Sequence, residues 1–361
     1  MADKSLIEWT DATRNPITGC TLVDDGCRHC YAAHLITSWH AIGDHPSRKG
    51  LARKNAAGES KFTGEVRFNE GWLDHPLRWK KPRRIFVCAH GDLFHPNVPD
   101  EWIDKVFAVM VLAPQHTFQV LTKRPERARE YLSALHCGDG FRPYIRRPGW
   151  EANDRRDGDK LFLLAEGQSW PLRNVWLGTS ISDQASADLR IPHLLACPAA
   201  IRFISAEPLL GEVDLEQAWH GENALDSECW GECAWCEKGY PALHNCQRGK
   251  GDWKRDRSGL DWVICGGESG PHARPMHPDW ARSLRDQCVA AGVPFLFKQW
   301  GEWAPDDHFT HFPDPVTSRG MHEWFEADNS TVESHSWRYG KKRAGRLLDG
   351  VEWSQFPEVA A

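Results

Sequence analysis

The sequence has little that would carry it into or across a membrane. No stretch approaches the ~18 consecutive apolar residues of a spanning helix, and Met1-Ala2-Asp3-Lys4-Ser5 lacks the charged-then-apolar pattern of a secretion signal. The expected location is the cytoplasm, with no membrane partner. Positive charge is not in excess either: 44 Lys and Arg stand against 50 Asp and Glu, a net charge of −6. That argues against a general phosphate-coating protein but leaves room for a local basic groove. Internal repeats and long low-complexity tracts are also missing.

What is present is a core and many cysteines. The chain has 361 residues, 41% of them hydrophobic, enough to bury a large domain. Strand-length apolar runs recur at Arg84–Ala89, Thr117–Thr122, Asn174–Gly178, Ile201–Ser205, Asp261–Cys265 and Pro294–Lys298. They are nearly continuously apolar, as parallel strands buried on both faces are. Helical patterns lie between them at Asp100–Leu112, Pro125–Leu135, Asp183–Ala196 and Asp279–Ala291. Pro99-Asp100 is expected to cap the first, and Pro192 to kink or break the third. The alternation predicts an α/β fold, a partial or complete parallel β/α barrel over residues 1–300. Insertions are expected at about 138–172 and 214–259, the latter a small Cys-rich subdomain. Residues 301–361 read as a tail packed on the barrel.

Seven of the twelve cysteines fall in two tight groups. In a reducing compartment such spacing points to metal rather than disulfides. Cys20, Cys27 and Cys30 form C-x6-C-x2-C. Three thiolates do not close a tetrahedral zinc site without a fourth ligand, for which His29 and His34 are candidates. They do suit a cubane iron–sulfur cluster with one iron left open. Cys229, Cys233, Cys236 and Cys246 form a second group suited to a closed zinc site, with a second iron–sulfur cluster as the rival occupant. Of the scattered cysteines, Cys88 and Cys265 sit inside apolar runs and are expected in the core.

The reactive face of a parallel barrel lies at the C-terminal ends of its strands. Those ends are polar here: Ala89-His90-Gly91-Asp92, Thr122-Lys123-Arg124, Thr179-Ser180, Ser205-Ala206-Glu207-Pro208, Gly266-Gly267-Glu268-Ser269 and Lys298-Gln299. Glycines directly after buried runs suggest close backbone approach to a ligand. The bland alternative for Glu207 is an ion pair with Lys123, Arg124 or Lys298.

Three cysteines in a glycine-bearing loop, with Tyr31 beside the last and a parallel α/β barrel following, resemble the radical S-adenosylmethionine superfamily. Its usual spacing is C-x3-C-x2-C, against a first gap of six here. A phage- and prophage-associated three-Cys-motif family, spore-photoproduct-lyase-like within that superfamily, is similar over most of the chain. The matching segments include Trp9-Thr10-Asp11-Ala12, Asn15-Pro16-Ile17-Thr18-Gly19-Cys20, Gly26-Cys27-Arg28-His29-Cys30-Tyr31-Ala32, Val120-Leu121-Thr122-Lys123-Arg124-Pro125, Ser205-Ala206-Glu207-Pro208 and Gly266-Gly267-Glu268-Ser269-Gly270. Arg14 stands where that family is expected to carry tryptophan.

The resemblance implies a [4Fe–4S] cluster on Cys20, Cys27 and Cys30, with S-adenosylmethionine chelating the open iron. Reductive cleavage of the sulfonium would then yield a radical that abstracts hydrogen from substrate. Asp92, Thr179, Ser180, Glu207 and Glu268 are the implied cofactor contacts; Cys265, Glu207 and Lys298 are the implied catalytic groups, Cys265 as hydrogen donor. A separately encoded partner protein is also implied.

Basic stretches interleaved with Trp79, Trp253, Trp337 and Tyr339 lie at Arg78–Arg84, Lys250–Arg257 and Arg338–Arg346. They suit a nucleotide or nucleic-acid substrate, or else a solvated face. The competing class is a zinc-stabilised nucleic-acid-binding or accessory protein of a phage system without redox chemistry. A metal-dependent nuclease is the weakest reading, because no carboxylate cluster stands at metal-binding spacing.

Overall fold

In the computed structural model the described residues are 4–38, 40–134, 171–218, 223–225, 259–308, 318–325 and 331–358. Seven strands make one all-parallel sheet, a partial β/α barrel: β1 (Ala12–Arg14), β2 (Arg84–Val87), β3 (Thr117–Thr122), β4 (Val175–Ile181), β5 (Ile201–Ala206), β6 (Trp262–Gly266) and β7 (Phe295–Gln299), in that order. Every residue of β4 and β6 is buried, which is why these runs carry no polar alternation. Both cysteines expected in the core are buried, Cys88 just after β2 at 2% and Cys265 in β6 at 0% exposure.

Helices follow the strands as the periodicity predicts. α1 (Tyr31–Ser38) follows the first cysteine group, α2 (Asp100–Leu112) follows β2, and α3 (Pro125–Ala134) follows β3 with proline at its first position. α4 (Gln184–Leu195) follows β4, and α5 (Pro278–Ala291) lies between β6 and β7. Two details differ from expectation. Pro99 is the N-cap of α2 and makes no side-chain cap bond, while Asp100 is already helical and pairs with Arg127. Pro192 lies inside a continuous α4. Its neighbours Ile191, Leu194 and Leu195 are buried with it, and their packing offsets the missing backbone hydrogen bond. α5 ends at Gly292, whose φ of 67° lets its N–H turn back to the Cys288 and Val289 carbonyls.

The chain divides into two compact units. Residues 1–23, 32–179 and 196–202 form the first; residues 24–31, 180–195 and 203–361 form the second. In the first unit, Ile85, Phe107, Phe118, Val120 and Tyr131 are buried together with Arg14. The Arg14 guanidinium lies 3.9 Å from the centre of the Trp79 ring and donates to the Thr13 carbonyl. A tryptophan from elsewhere in the chain thus packs against this position.

In the second unit, Phe203, Trp262, Phe295, Phe297 and Trp300 are fully buried. β8 (Trp303–Pro305), β9 (Met321–Phe325) and β10 (Val332–Arg338) form a separate antiparallel sheet in the order β8-β10-β9. Beyond it, Leu347–Leu348 pairs with Val351–Glu352 across Asp349-Gly350. Both turn residues have positive φ, 52° and 75°, as a two-residue primed turn requires. The chain then runs antiparallel along β7: Phe297 N–H donates to Trp353 O, Gln355 N–H to Phe295 O, and the Trp262 indole to Gln355 O.

Candidate functional site

The Cys20 end of the first cysteine group belongs to the first unit. Gly19 has φ of 99°, and a Cβ there would meet the Glu65 carbonyl at 2.0 Å, so only glycine fits. Its N–H donates to the His90 carbonyl at 3.0 Å, which fastens the start of the loop beyond the end of β2. Arg124, after β3, reaches the loop itself. Its Nη2 donates to the Thr21 hydroxyl at 2.8 Å and the Thr21 carbonyl at 3.3 Å. Its Nη1 donates to Asp92 Oδ2 at 2.7 Å and to Cys20 Sγ at 3.6 Å. Burial works to lower the Arg124 pKa, but the anionic forms of Asp92 and Cys20 outweigh it and hold it above its ordinary value.

Asp92 is buried and fully engaged. Oδ1 accepts from Phe94 N–H and the Thr122 hydroxyl, and Oδ2 from Lys123 N–H and Arg124. The carboxylate expected to receive a cofactor ammonium therefore already accepts at all of its ≈ four lone-pair sites. His95 Nδ1 accepts from Asn97 N–H, which leaves the ring hydrogen on Nε2, 3.0 Å from the Thr21 hydroxyl. Burial, then Arg124, lowers the His95 pKa to about 4. Burial, then Arg48, does the same for His90. Thr179 is fully buried and donates to the Thr122 carbonyl inside the sheet, so it serves strand packing.

The Cys27 and Cys30 end belongs to the second unit, where Glu268, Arg274 and Arg190 hold the loop through His29, Asp25 and Asp24. His29 Nδ1 lies 3.1 Å from Glu268 Oε2, just beyond β6. A carboxylate only accepts, so Nδ1 carries the hydrogen and the lone pair falls on Nε2. Glu268 also accepts from Arg274 through the backbone N–H, Nε and Nη2, all at 2.8–2.9 Å. Arg274 in turn pairs with the Asp25 carboxylate and donates to its carbonyl. Burial works to raise the Glu268 pKa, but Arg274 and His29 overcome it and hold it below the usual carboxylate range. Glu268, read as a cofactor contact, is here the latch of the cysteine loop. On its other side, Arg190 pairs with Asp24 and donates to the carbonyl of Ser180, the last of the β4 site residues.

Glu207 pairs with Lys298 at 2.8 Å and accepts from the Ser205 hydroxyl at 2.9 Å, which realises the bland alternative. A Cβ on Gly266 would come 2.7 Å from Glu207 Oε1, and one on Gly267 would come 2.0 Å from the Trp300 carbonyl. The two glycines thus admit the protein's own groups. Cys265 is completely buried, and burial, reinforced by Glu207, pushes its thiol well above its ordinary pKa. Arg190 and Arg274 were not picked out from the sequence; Arg124 was named there only as a strand-end residue and candidate partner of Glu207, and His29 only as a candidate zinc ligand.

The donor set fits a cubane with one open iron. Cys20, Cys27 and Cys30 carry thiols at intermediate exposure, while Cys88, Cys197, Cys265 and Cys288 are buried. Each cysteine of such a cluster binds a different iron, so the sulfurs need no close mutual contact. Cys229, Cys233, Cys236 and Cys246 lie outside the described residues, as do Lys250–Arg257 and most of both insertions.

Among the described residues His277, Asp279 and Glu333 bring three ligand atoms within 4.8 Å of one another. His277 Nδ1 caps α5 by accepting from Asp279 N–H at 3.1 Å, which puts its hydrogen on Nε2, 3.7 Å from Glu333. A cation at Nε2 would have to displace that hydrogen and break the cap, so the group reads as a helix cap facing a carboxylate. In the two described basic-aromatic stretches, Arg78–Arg84 and Arg338–Arg346, the rings are engaged by the protein's own groups. Trp79 lies under both Arg14 and Arg83, Tyr339 is buried, and the Trp337 indole donates to Asp306.

No described helix is long and apolar enough to cross a membrane. No curated protein and no solved structure matches the chain. A family of proteins of unknown function, DUF5131, matches residues 4–357, and the chain belongs to that family.

Proposed function

We propose that this protein is a radical S-adenosylmethionine enzyme whose [4Fe–4S] cluster is held by Cys20, Cys27 and Cys30 and whose substrate is a nucleobase, nucleotide or nucleic acid. The observation that supports it most is the way the cysteine loop is held. In each unit, polar groups at or beyond the strand ends, with Arg190 of α4, fasten the loop through Thr21, Asp24, Asp25 and His29. When bound, such a cluster supplies one-electron reductive cleavage of the sulfonium cofactor. The chain's own part is to position and to exclude water. Lys298 and Glu207 form a charge pair at the strand ends, and Ser180 brings its hydroxyl to the end of β4.

A second reading has its own support. A histidine that gives its Nδ1 hydrogen to a buried carboxylate, as His29 does to Glu268, is arranged as zinc-binding histidines are. Cys20, Cys27, Cys30 and His29 would then hold structural zinc in a nucleic-acid-binding or accessory protein.

Anaerobic purification and reconstitution separates the two. Iron, sulfide and zinc are quantified, and the electron paramagnetic resonance spectrum of the reduced protein is recorded with and without S-adenosylmethionine. A cubane signal that shifts on adding the cofactor and disappears in Cys27→Ala/Cys30→Ala supports the radical enzyme. Stoichiometric zinc with no cluster under any reconstitution sinks it.

A further inference from the structure

We propose that Arg124 sets the reduction potential of the cluster on Cys20, Cys27 and Cys30 by donating a hydrogen bond to the ligand sulfur of Cys20. The inference rests on the functional reading above and adds to it a residue that tunes the site without touching substrate.

The guanidinium is aimed by four interactions. Nη1 is shared between Asp92 Oδ2 at 2.7 Å and Cys20 Sγ at 3.6 Å, and Nη2 is divided between the hydroxyl and carbonyl of Thr21. The backbone N–H of Arg124 donates to the Thr122 hydroxyl at 2.9 Å, and that hydroxyl donates to Asp92. One small network thus fixes the stem, the fork and the carboxylate behind it.

Asp92 takes one of the four guanidinium interactions, and the other three go to Cys20 and Thr21. The remaining use of the fork is the cysteine loop. The Arg124 side chain is 13% exposed, so solvent screens it weakly. Its charge is permanent at any working pH. Reducing a thiolate-ligated cluster adds negative charge to it, and hydrogen bonds to the sulfurs are among the levers on its potential. A fixed cation on one sulfur stabilises the reduced state and makes reduction easier. Asp92 moderates the effect by neutralising part of that charge.

The test is a dithionite titration of the anaerobically reconstituted protein, followed by the cluster's electron paramagnetic resonance signal, on wild type, Arg124→Gln, Arg124→Lys and Asp92→Asn. The potential is expected to fall in Arg124→Gln, to fall less in Arg124→Lys, and to rise in the isosteric Asp92→Asn. A purely structural role would change cluster content or melting temperature but would not shift the potential in opposite directions. Equal potentials in wild type and Arg124→Gln, at equal cluster content, overturn the inference and leave the enzyme reading intact. If Arg124→Gln fails to hold a cluster, Arg124→Lys decides: a potential below that of wild type supports the inference, and an unchanged or higher one overturns it. Absence of any cluster in wild type overturns the functional reading instead.

Discussion

The two ends of the cysteine loop are held by opposite electrostatics. At the Cys20 end the anchor is a cation, Arg124, bonded directly to a thiol and backed by Asp92. At the Cys27 and Cys30 end the anchor is a carboxylate, Glu268, which grips the residue between the thiols and is backed by Arg274. The first arrangement acts on a ligand atom; the second acts on the loop's shape. The same ion-pair chemistry therefore serves tuning at one end and positioning at the other.

The largest test of that contrast is Glu268→Gln. It leaves Arg274 and His29 facing a neutral amide at a buried position, and unfolding free energy is expected to drop by about 3 kcal/mol. Urea titration measures the loss, and hydrogen exchange should place it in residues 25–30 and 268–274. A variant as stable as wild type would remove the latch from the description.

Acid should separate the two ends next. His90 and His95 are held neutral in the fold, with pKa lowered to about 4 against about 6.5 unfolded. Their contribution is complete above the unfolded value and is lost as pH falls from about 6.5 toward 4. Glu268 is held below the usual carboxylate range, so its contribution persists until pH falls below about 4.3. Rate-corrected hydrogen exchange at pH 7 and 5.5 should therefore show loosening around residues 19–21 and 90–97 first. Equal loosening of residues 268–274 at pH 5.5 would contradict this order.

The smallest expected effect serves as a control. Gly350→Ala forces alanine to φ of 75° in the Asp349-Gly350 turn and should destabilise by about 1 kcal/mol. A thermal melt reads it, and neither end of the cysteine loop should change its exchange.

Much of the scaffold was legible because it depends on local pattern. Continuous apolar runs mark buried parallel strands, and α2 and α5 declare themselves by periodicity together with Pro99 and Gly292. Pro192 misled because a local penalty was outweighed by burial that only the packed fold supplies. The cysteine loop was legible from spacing alone. Its supports were not: His29 and Glu268 are 239 residues apart, and Asp25 and Arg274 are 249 apart. The strand-end carboxylates were found, and Lys298 was among the partners named for Glu207, but sequence does not show that Arg124 faces Asp92 or that Arg274 faces Glu268. Thr179 read as part of a polar rim although its hydroxyl bonds within the sheet.

The run of Trp353 to Gln355 along β7 has a consequence of another kind. β7 ends the sheet order, and its Phe295 to Gln299 sequence would otherwise be an apolar strand offering unpaired backbone groups on one side. Such an edge is a template on which a second copy can lay the same strand, and the addition can repeat without limit. By pairing with its own C-terminal segment, the chain blocks that polymerisation. Loss of this short stretch would threaten solubility at high concentration well before it weakened the core.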